Sequence, residues 1–143
     1  IGTISANQCL KAAHTVNGNR WVGPSEGINT WVSEIIWREF YNHILVEHPR
    51  LAMGQAFRRE TDNLPWNQDA ELLERWQKGE TGLPFVDAGM RQLVQTGWMH
   101  GRVRMICASF LVKDLLIDWR CGERFFRHHL VDADVAQDEA GIE

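Results

Sequence analysis

The sequence predicts an all-α fold in the form of a helical bundle. Apolar residues recur at helical spacing in several segments, and residues that commonly begin or end helices stand at the ends of those segments. No segment shows the strict apolar–polar alternation of a half-buried strand. A length of 143 residues favours a single domain over 1–143, with one compact core.

The first half of the chain contains two predicted helices. The first covers Asn7–His14 and precedes a tight turn at Asn17-Gly18. The second covers Thr30–Glu47, where the apolar positions indicate a helix that is covered on more than one face, and Pro49 ends it. Arg50–Pro65 is less regular and predicts a surface loop with a short turn.

The middle of the chain carries clear helix boundaries. Asp69 is a good N-cap for a helix over Ala70–Lys78, and Gly79 is a good C-terminal stop. Val86–Thr96 predicts the next helix, with Gly97 at its end. Each boundary residue acts on the backbone next to it, so these limits rest on local chemistry.

Two further helices are predicted toward the C-terminus. Met99–Ile117 is expected to be the longest buried element and the central helix, because its apolar residues leave little polar face. Gly122–Leu130 predicts a last amphipathic helix. The apolar residues of the expected central helix are Val103, Ile106, Phe110, Leu111, Leu115 and Leu116.

Composition places the chain among soluble, cytoplasmic proteins. Charged residues make up 24% and hydrophobic residues 44%, and no segment approaches the roughly 20 apolar residues of a membrane span. Cys9, Cys107 and Cys121 are widely spaced and predict reduced thiols. The net charge is −4, and residues 132–143 form an acidic tail without a basic residue, whereas the rest of the chain is close to neutral.

Seven tryptophans are present, and the run WVSEIIWREFY at positions 31–41 is the densest aromatic segment. A helix turns about 100° per residue, so Trp31, Glu34, Arg38 and Tyr41 share one stripe, with Trp37 beside it. Rings that stack and charged groups that hold edges suit a planar ligand such as a flavin or a nucleobase. Packing of Trp31 and Trp37 in the core is the alternative interpretation.

Three segments together resemble the flavin-binding helical domain of the DNA photolyase and cryptochrome family, in particular class I cyclobutane pyrimidine dimer photolyases. They are the run at 31–41, TGLPFVDAGMRQL at 81–93 and GWMHGRVRMICASFLVKDLLIDW at 97–119. The resemblance continues through GERFF at 122–126 and the Asp132-Ala133-Asp134 sequence, so it covers nearly the whole chain.

The resemblance implies a light-driven enzyme that repairs pyrimidine dimers in damaged DNA with FAD as its cofactor. FAD would be contacted by the side chains at six matching positions. Arg38 would neutralise phosphate charge, and Arg104 with Asp132 would form an ion pair beside the flavin ring. Without the resemblance, Arg104 would be interpreted as an ordinary surface cation of a helix. The six FAD-contacting residues implied are Trp31, Arg38, Trp98, Arg104, Asp132 and Asp134.

The resemblance also implies residues that act on DNA and on electrons. Glu34 and Trp37 would line the pocket for a flipped-out lesion, with Trp37 stacking on a base and Glu34 bonding its edge. Arg102 and Met105 would contact DNA or substrate. Two tryptophans would carry electrons toward the flavin, and these are Trp66 and Trp119. Core packing is the alternative for Trp98 and Met105.

The chain departs from the family pattern at its end. Asp138 stands where an asparagine lies beside the reactive flavin nitrogen, Ile142 replaces the tryptophan nearest the flavin, and Gly101 replaces an asparagine. The family's phosphate-binding loop and its C-terminal pocket segment have no match here, so the resemblance implies a truncated domain. We therefore expect FAD binding to be weak or absent, repair activity to be lost in isolation, and former core surface to drive homo-oligomer formation.

Two other interpretations follow from the residues. A photolyase-derived module without enzymatic activity could self-associate or bind a small aromatic compound. A metal enzyme is not expected, because the histidines form no HExxH-like ligand set. Arg120, Arg124 and Arg127 fall on one helix face, which could meet phosphates or could simply be solvated.

Overall fold

The computed structural model describes residues 4–133, and six α-helices account for most of them. No strand occurs within these residues, where the nearest feature is a single bridge between Asn67 and Ile117. The all-α prediction is therefore confirmed. The helices are α1 (Ala6–Val16), α2 (Glu26–Glu47), α3 (Ala70–Lys78), α4 (Pro84–Thr96), α5 (Gly101–Ser109) and α6 (Trp119–His129).

The chain divides into two compact units, the first ending at Glu47 and the second beginning at His48. In the first unit, α1 starts with a capping box, in which the Ser5 hydroxyl accepts from the Gln8 backbone and the Gln8 side chain accepts from the Ser5 backbone. The predicted turn after it is present, since Gly18 has φ +66°. The single-domain assignment over 1–143 stays a prediction.

Helix α2 begins at Glu26, four residues before the predicted start, and none of its side chains is buried. The expectation that this helix is covered on more than one face is therefore wrong for the described chain. Its apolar residues are spread around the helix, so no single face collects them for burial. Large apolar side chains of α2 consequently face solvent.

The core belongs to the second unit and is assembled by α3, α4, α5 and α6. Trp76 is fully buried, and its indole Nε1 donates to the carbonyl of Cys107 at 3.0 Å, which ties α3 to α5. The three cysteines are free, and burial raises the pKa of the Cys107 thiol to about 11, which makes this thiol unreactive at neutral pH. Other fully buried side chains of the core are Met90, Leu93, Met99 and Leu111.

Gly89 sets the close approach of α4 to α5. A Cβ atom at this position would lie 2.5 Å from Cγ1 of Val103 and 3.0 Å from Sγ of Cys107. Those distances are shorter than van der Waals contact, so the two helices can pack this closely only because residue 89 has no side chain.

A carboxylate organises the start of α4. Asp87 is buried, and it accepts from the backbone and hydroxyl of Thr81 at 2.8 and 2.6 Å and from the backbone of Gly82 at 3.0 Å. Burial raises the pKa of Asp87, but these hydrogen bonds and the nearby Arg91 charge outweigh it and hold the pKa below its usual value. Pro84 in the first turn places the helix start two residues before the predicted Val86.

The predicted central helix over Met99–Ile117 is wrong in extent. The helix starts at Gly101, ends at Ser109 and continues as a π-helical turn over Phe110–Asp114. Leu116 then takes a positive φ of 56°, and its carbonyl accepts from the backbone of Asn67 at 2.7 Å. A contact 49 positions away in sequence thus breaks a pattern that looks helical locally, and α2 is the longest helix of the described residues.

The remaining boundaries agree with local signals. The Asp69 carboxylate accepts from the backbone of Glu71 and Leu72, and Gly79 ends α3 in a left-handed conformation. The segment 50–65 contains two 3₁₀ turns, Leu51–Met53 and Arg59–Asn63. Helix α6 starts at Trp119, three residues before the predicted Gly122.

None of the helices between residues 4 and 133 is both long and apolar enough to cross a membrane.

Candidate functional site

An ion pair joins the beginning of α5 to the segment after α6. One guanidinium nitrogen of Arg104, Nη2, lies 2.8 and 3.0 Å from the two carboxylate oxygens of Asp132. The Nε of the same side chain donates to the carbonyl of Met99 at 2.8 Å, and Met99 is fully buried. Arg104 is thus fixed at both ends of its guanidinium, and the predicted pair with Asp132 is present.

The local sequence explains why Arg104 points this way. His100 caps α5 by accepting from the backbone of Arg102 through Nδ1 at 3.1 Å, and this starts the helix one turn before Arg104. Gly97 brings the chain after α6 close, because its carbonyl accepts from the backbone of Val131, next to Asp132, at 2.9 Å. The pair therefore depends on backbone contacts at both of its ends.

The other predicted residues near α5 are exposed. Trp98 is 47% exposed and Met105 57% exposed, so the core-packing alternative does not hold for either side chain. Arg102 also faces solvent. Arg102 and Met105 are three positions apart on α5, which puts them on neighbouring parts of one helix face.

Helix α2 presents a cluster of three aromatic rings, which we call the α2 ring cluster. Trp37 lies edge-on to Phe40 at 5.5 Å and beside Tyr41 at 6.1 Å, and Phe40 and Tyr41 are 5.6 Å apart. Trp31 and Trp37 are about half exposed, so neither is a core residue. Glu34 and Arg38 are exposed on the same helix. The cluster offers flat apolar surface next to charged groups.

The two predicted electron carriers have different surroundings. Trp119 is 4% exposed, and the guanidinium of Arg120 lies 4.6 Å from the centre of its ring. Trp66 is half-buried, and its indole Nε1 is a buried donor without a hydrogen-bond acceptor among the described residues.

Two of the three arginines of the α6 series form ion pairs inside the protein, and exposed Arg124 has a contact from Nη2 to Sγ of Cys121 at 3.5 Å. Arg120 donates to the carbonyl of Gly54 and forms ion pairs with Asp62 at 2.8 Å and Asp118 at 3.3 Å. A hydrogen bond from the backbone of Ala56 holds the pKa of Asp62 below its usual value, and the hydrogen bond and charge of Arg120 lower this pKa further. Arg127 pairs with Glu123 at 2.6 Å. Arg120 is therefore engaged inside the protein, and contact of Arg124 with phosphates stays a prediction.

Several predicted positions lie outside the described residues. These are Asp134, Asp138 and Ile142, together with most of the acidic tail. Within residues 4–133, no three side chains of the His, Cys, Asp and Glu types lie close enough to hold a metal ion together.

The sequence interpretation missed Phe40, the carbonyl of Met99 and the role of Arg120. Phe40 lies three positions after Trp37, which is a helical contact spacing and could have added it to the stripe. The other two depend on contacts that no spacing rule gives. The carbonyl that orients Arg104 and the acceptors of Arg120 come from segments brought together only by the fold.

The described residues thus form an all-α fold, with an arginine–aspartate pair at α5 and exposed rings on α2. The sequence matches the family described as the FAD binding domain of DNA photolyase over residues 31–143. The chain belongs to this family. A deoxyribodipyrimidine photo-lyase of Neurospora crassa is 45% identical over 141 residues.

Solved structures give the same relationship. A bacterial class III photolyase from Agrobacterium tumefaciens superposes with a TM-score of 0.91 at 45% identity over 99% of this chain. An archaeal photolyase from Sulfolobus tokodaii, solved with two FAD molecules, superposes with a TM-score of 0.82 at 40% identity over 96% of this chain. The chain spans 23% of the Neurospora protein, 28% of the Agrobacterium chain and 29% of the Sulfolobus chain.

Proposed function

We propose that this chain is the FAD-contacting part of a light-driven enzyme that repairs pyrimidine dimers in DNA. Membership of the photolyase FAD-binding family supports the proposal. The observation that carries it is the Arg104–Asp132 pair. A carboxylate and a backbone carbonyl hold the Arg104 guanidinium in place, so its positive charge has a fixed position beside which a flavin ring can lie.

The family resemblance assigns three of the described side chains to FAD. Trp31 and Trp98 would supply rings for stacking, since both are exposed, and Arg38 would contact a phosphate. Reduced FAD, when bound, supplies a light-excited electron. We assign Arg104, Asp132 and Asp134 to balancing charge beside the flavin ring. Each assignment follows the family resemblance at that position.

Four residues are proposed to meet DNA. Photolyases belong to the enzymes that flip their target out of the duplex. Trp37 would stack on the flipped base, and its exposed ring supported by Phe40 and Tyr41 suits that role. Glu34 would accept a hydrogen bond from the base edge. Arg102 and Met105 would contact the strand from the exposed face of α5.

Trp66 and Trp119 are proposed to carry electrons toward the cofactor. Indole is the side chain that gives up an electron readily, and burial of Trp119 shields a transient charge from water. The Arg120 guanidinium above Trp119 makes loss of an electron from that ring harder, and Asp62 and Asp118 offset this charge.

We place the chain in the class I cyclobutane-dimer subgroup on the three segments at 31–41, 81–93 and 97–119. The similarity to a class III photolyase makes class III the alternative subgroup. We also propose that these 143 residues alone bind FAD weakly and do not repair DNA. The two phosphates of FAD need several donors, and unsatisfied charge removed from water costs several kcal/mol.

The test is FAD binding to the full 143-residue chain, followed by quenching of flavin fluorescence. Arg104→Ala should weaken binding about tenfold or more, since it removes the cation that the proposal places beside the flavin ring. Arg59→Ala, which removes an exposed arginine of a 3₁₀ turn, is the matched control and should leave the affinity unchanged. Equal affinity for the Arg104 variant and the unaltered chain would contradict the proposal.

A second function is favoured by the exposed apolar side chains of α2. Trp31, Ile36, Trp37 and Phe40 are each between 46% and 61% exposed on one helix. Trp37 and Phe40 are in ring contact, and Ile36 lies four positions before Phe40, so these three side chains form one exposed patch of the kind that marks sites of association. We propose that α2 also mediates formation of a homodimer, which would make the chain an interaction module whether or not it repairs DNA.

A further inference from the structure

An open groove of about 550 Å³ lies in the second unit, where the end of α3 meets α4 and α6. None of the residues assigned to FAD, DNA or electron transfer lines it. Its volume falls in the range of small-molecule sites, which is roughly 300–1,000 Å³. The lining residues that matter are Lys78, Glu80, Arg91, Val94, Phe125 and His129.

One wall of the groove is formed by two aromatic rings in contact with each other. The rings of Phe125 and His129 lie 4.1 Å apart at 32°, and Phe125 meets the fully buried Trp76 edge-on at 5.5 Å. Nδ1 of His129 lies 2.9 Å from the carbonyl of Phe125, which only accepts, so Nδ1 carries the proton. A flat ligand can therefore stack on a surface that does not need to be ordered first.

Arg91 supplies a cation to the same groove. It forms no hydrogen bond or ion pair with any residue of the described chain. The Asp87 carboxylate, whose charge it feels, is already occupied by hydrogen bonds from Thr81 and Gly82. The stem of Arg91 passes over Gly79, where a Cβ atom would lie 3.0 Å from its Cγ. The absent side chain at residue 79 thus leaves room for this arginine.

The charges of the groove favour a ligand with one negative charge. Lys78 is held by Glu74 at 2.5 Å, so its charge is already paired. The Glu80 side chain also lines the groove and repels any second anionic group. A guanidinium fork matches the two oxygens of a carboxylate.

We propose that this groove binds a planar aromatic monocarboxylate, with its ring on the Phe125–His129 wall and its carboxylate on Arg91. Val94 lies three positions after Arg91 on α4, so an apolar side chain stands beside the cation. The site does not depend on FAD or DNA binding.

The experiment is a titration of the ¹⁵N-labelled full chain with 2-naphthoate, followed by NMR. Saturable shifts are expected at the backbone amide of Val94 and at the Nε–H of Arg91. The neutral 2-naphthamide lacks the charge and acetate lacks the ring, so each should bind at least about tenfold more weakly.

Variants assign the binding to named side chains. Arg91→Gln and His129→Ala should each weaken 2-naphthoate about tenfold, and both spare Phe125, which packs on the core. Lys113→Gln, an exposed cation away from the groove, is the matched control and should bind normally.

Three results would overturn the proposal. The first is absence of saturable shifts at millimolar 2-naphthoate, and the second is equal binding of 2-naphthamide. The third is a response that follows Arg104→Ala or Trp37→Ala instead of Arg91→Gln, which would place the ligand on the surfaces assigned to FAD and DNA. Failure of FAD binding leaves this test unaffected, because the groove shares no residue with those surfaces.

Discussion

At the scale of single residues, a missing side chain controls how α4 and α5 pack. We predict that Gly89→Ala lowers the free energy of unfolding by about 1–3 kcal/mol, because the added methyl group would overlap Val103 and Cys107. The measurement is chemical denaturation followed by tryptophan fluorescence.

The control for Gly89 is Gly27→Ala in α2. Gly27 is also helical, and a Cβ there would meet no atom within 4 Å. Alanine favours a helix over glycine by about 1 kcal/mol, so this variant should be neutral or more stable. A Gly89→Ala protein as stable as the unaltered chain would show that the two helices can separate without cost.

Residues also show where sequence interpretation succeeds and where it stops. The Arg104–Asp132 pair could be predicted only through resemblance, since the two residues are 28 positions apart and no spacing rule joins them. The Met99 carbonyl that orients Arg104 could not be predicted at all. It becomes an acceptor because Met99 is buried and its backbone turns toward α5.

At the scale of elements, the Asp87 carboxylate holds the loop before α4. Its pKa is lowered in the folded chain, so it stabilises the fold above its unfolded pKa of about 3.8. That stability is lost as the pH falls below this value and through the folded pKa. We predict that Asp87→Asn lowers stability at neutral pH and weakens the pH dependence in this acidic window.

Denaturant unfolding at a series of pH values from neutral to acid checks the Asp87 prediction. Asp114→Asn, at an exposed aspartate of the π-helical turn, is the matched control and should keep the full pH dependence. An Asp87→Asn variant whose stability falls with acid as steeply as that of the unaltered chain would show that another carboxylate is responsible.

Some element boundaries are set by neighbouring residues and others by contacts that are distant in sequence, and only the first kind could be predicted. The limits of α3 are as predicted, because Asp69 and Gly79 act on adjacent backbone. The end of α5 is not, because the apolar run to Ile117 continues a helical pattern while Leu116 is 56% exposed and its backbone bonds Asn67. Long-range contacts override local periodicity there.

At the scale of the whole molecule, the two units differ in how far their apolar side chains are buried. The second unit encloses Trp76, Leu93 and Leu111 completely, as expected for a chain of this size. In the first unit, α2 carries as many large apolar residues as a core helix and buries none of them. Sequence composition predicts that such residues are buried, but it does not predict which surface they pack against.

This imbalance predicts self-association through α2. Sedimentation equilibrium over a range of concentrations should show an average mass rising from the 16.5 kDa of one chain toward twice that value. Ile36→Glu should weaken the association at least about tenfold, because an interface would have to bury the new carboxylate at a cost of more than about 1.4 kcal/mol. Met53→Glu is the matched control, since Met53 is 69% exposed but lies outside α2. A mass fixed at that of one chain, or an equal loss of association in both variants, would show that α2 is not the interface. The α2 rings would then serve only in ligand binding.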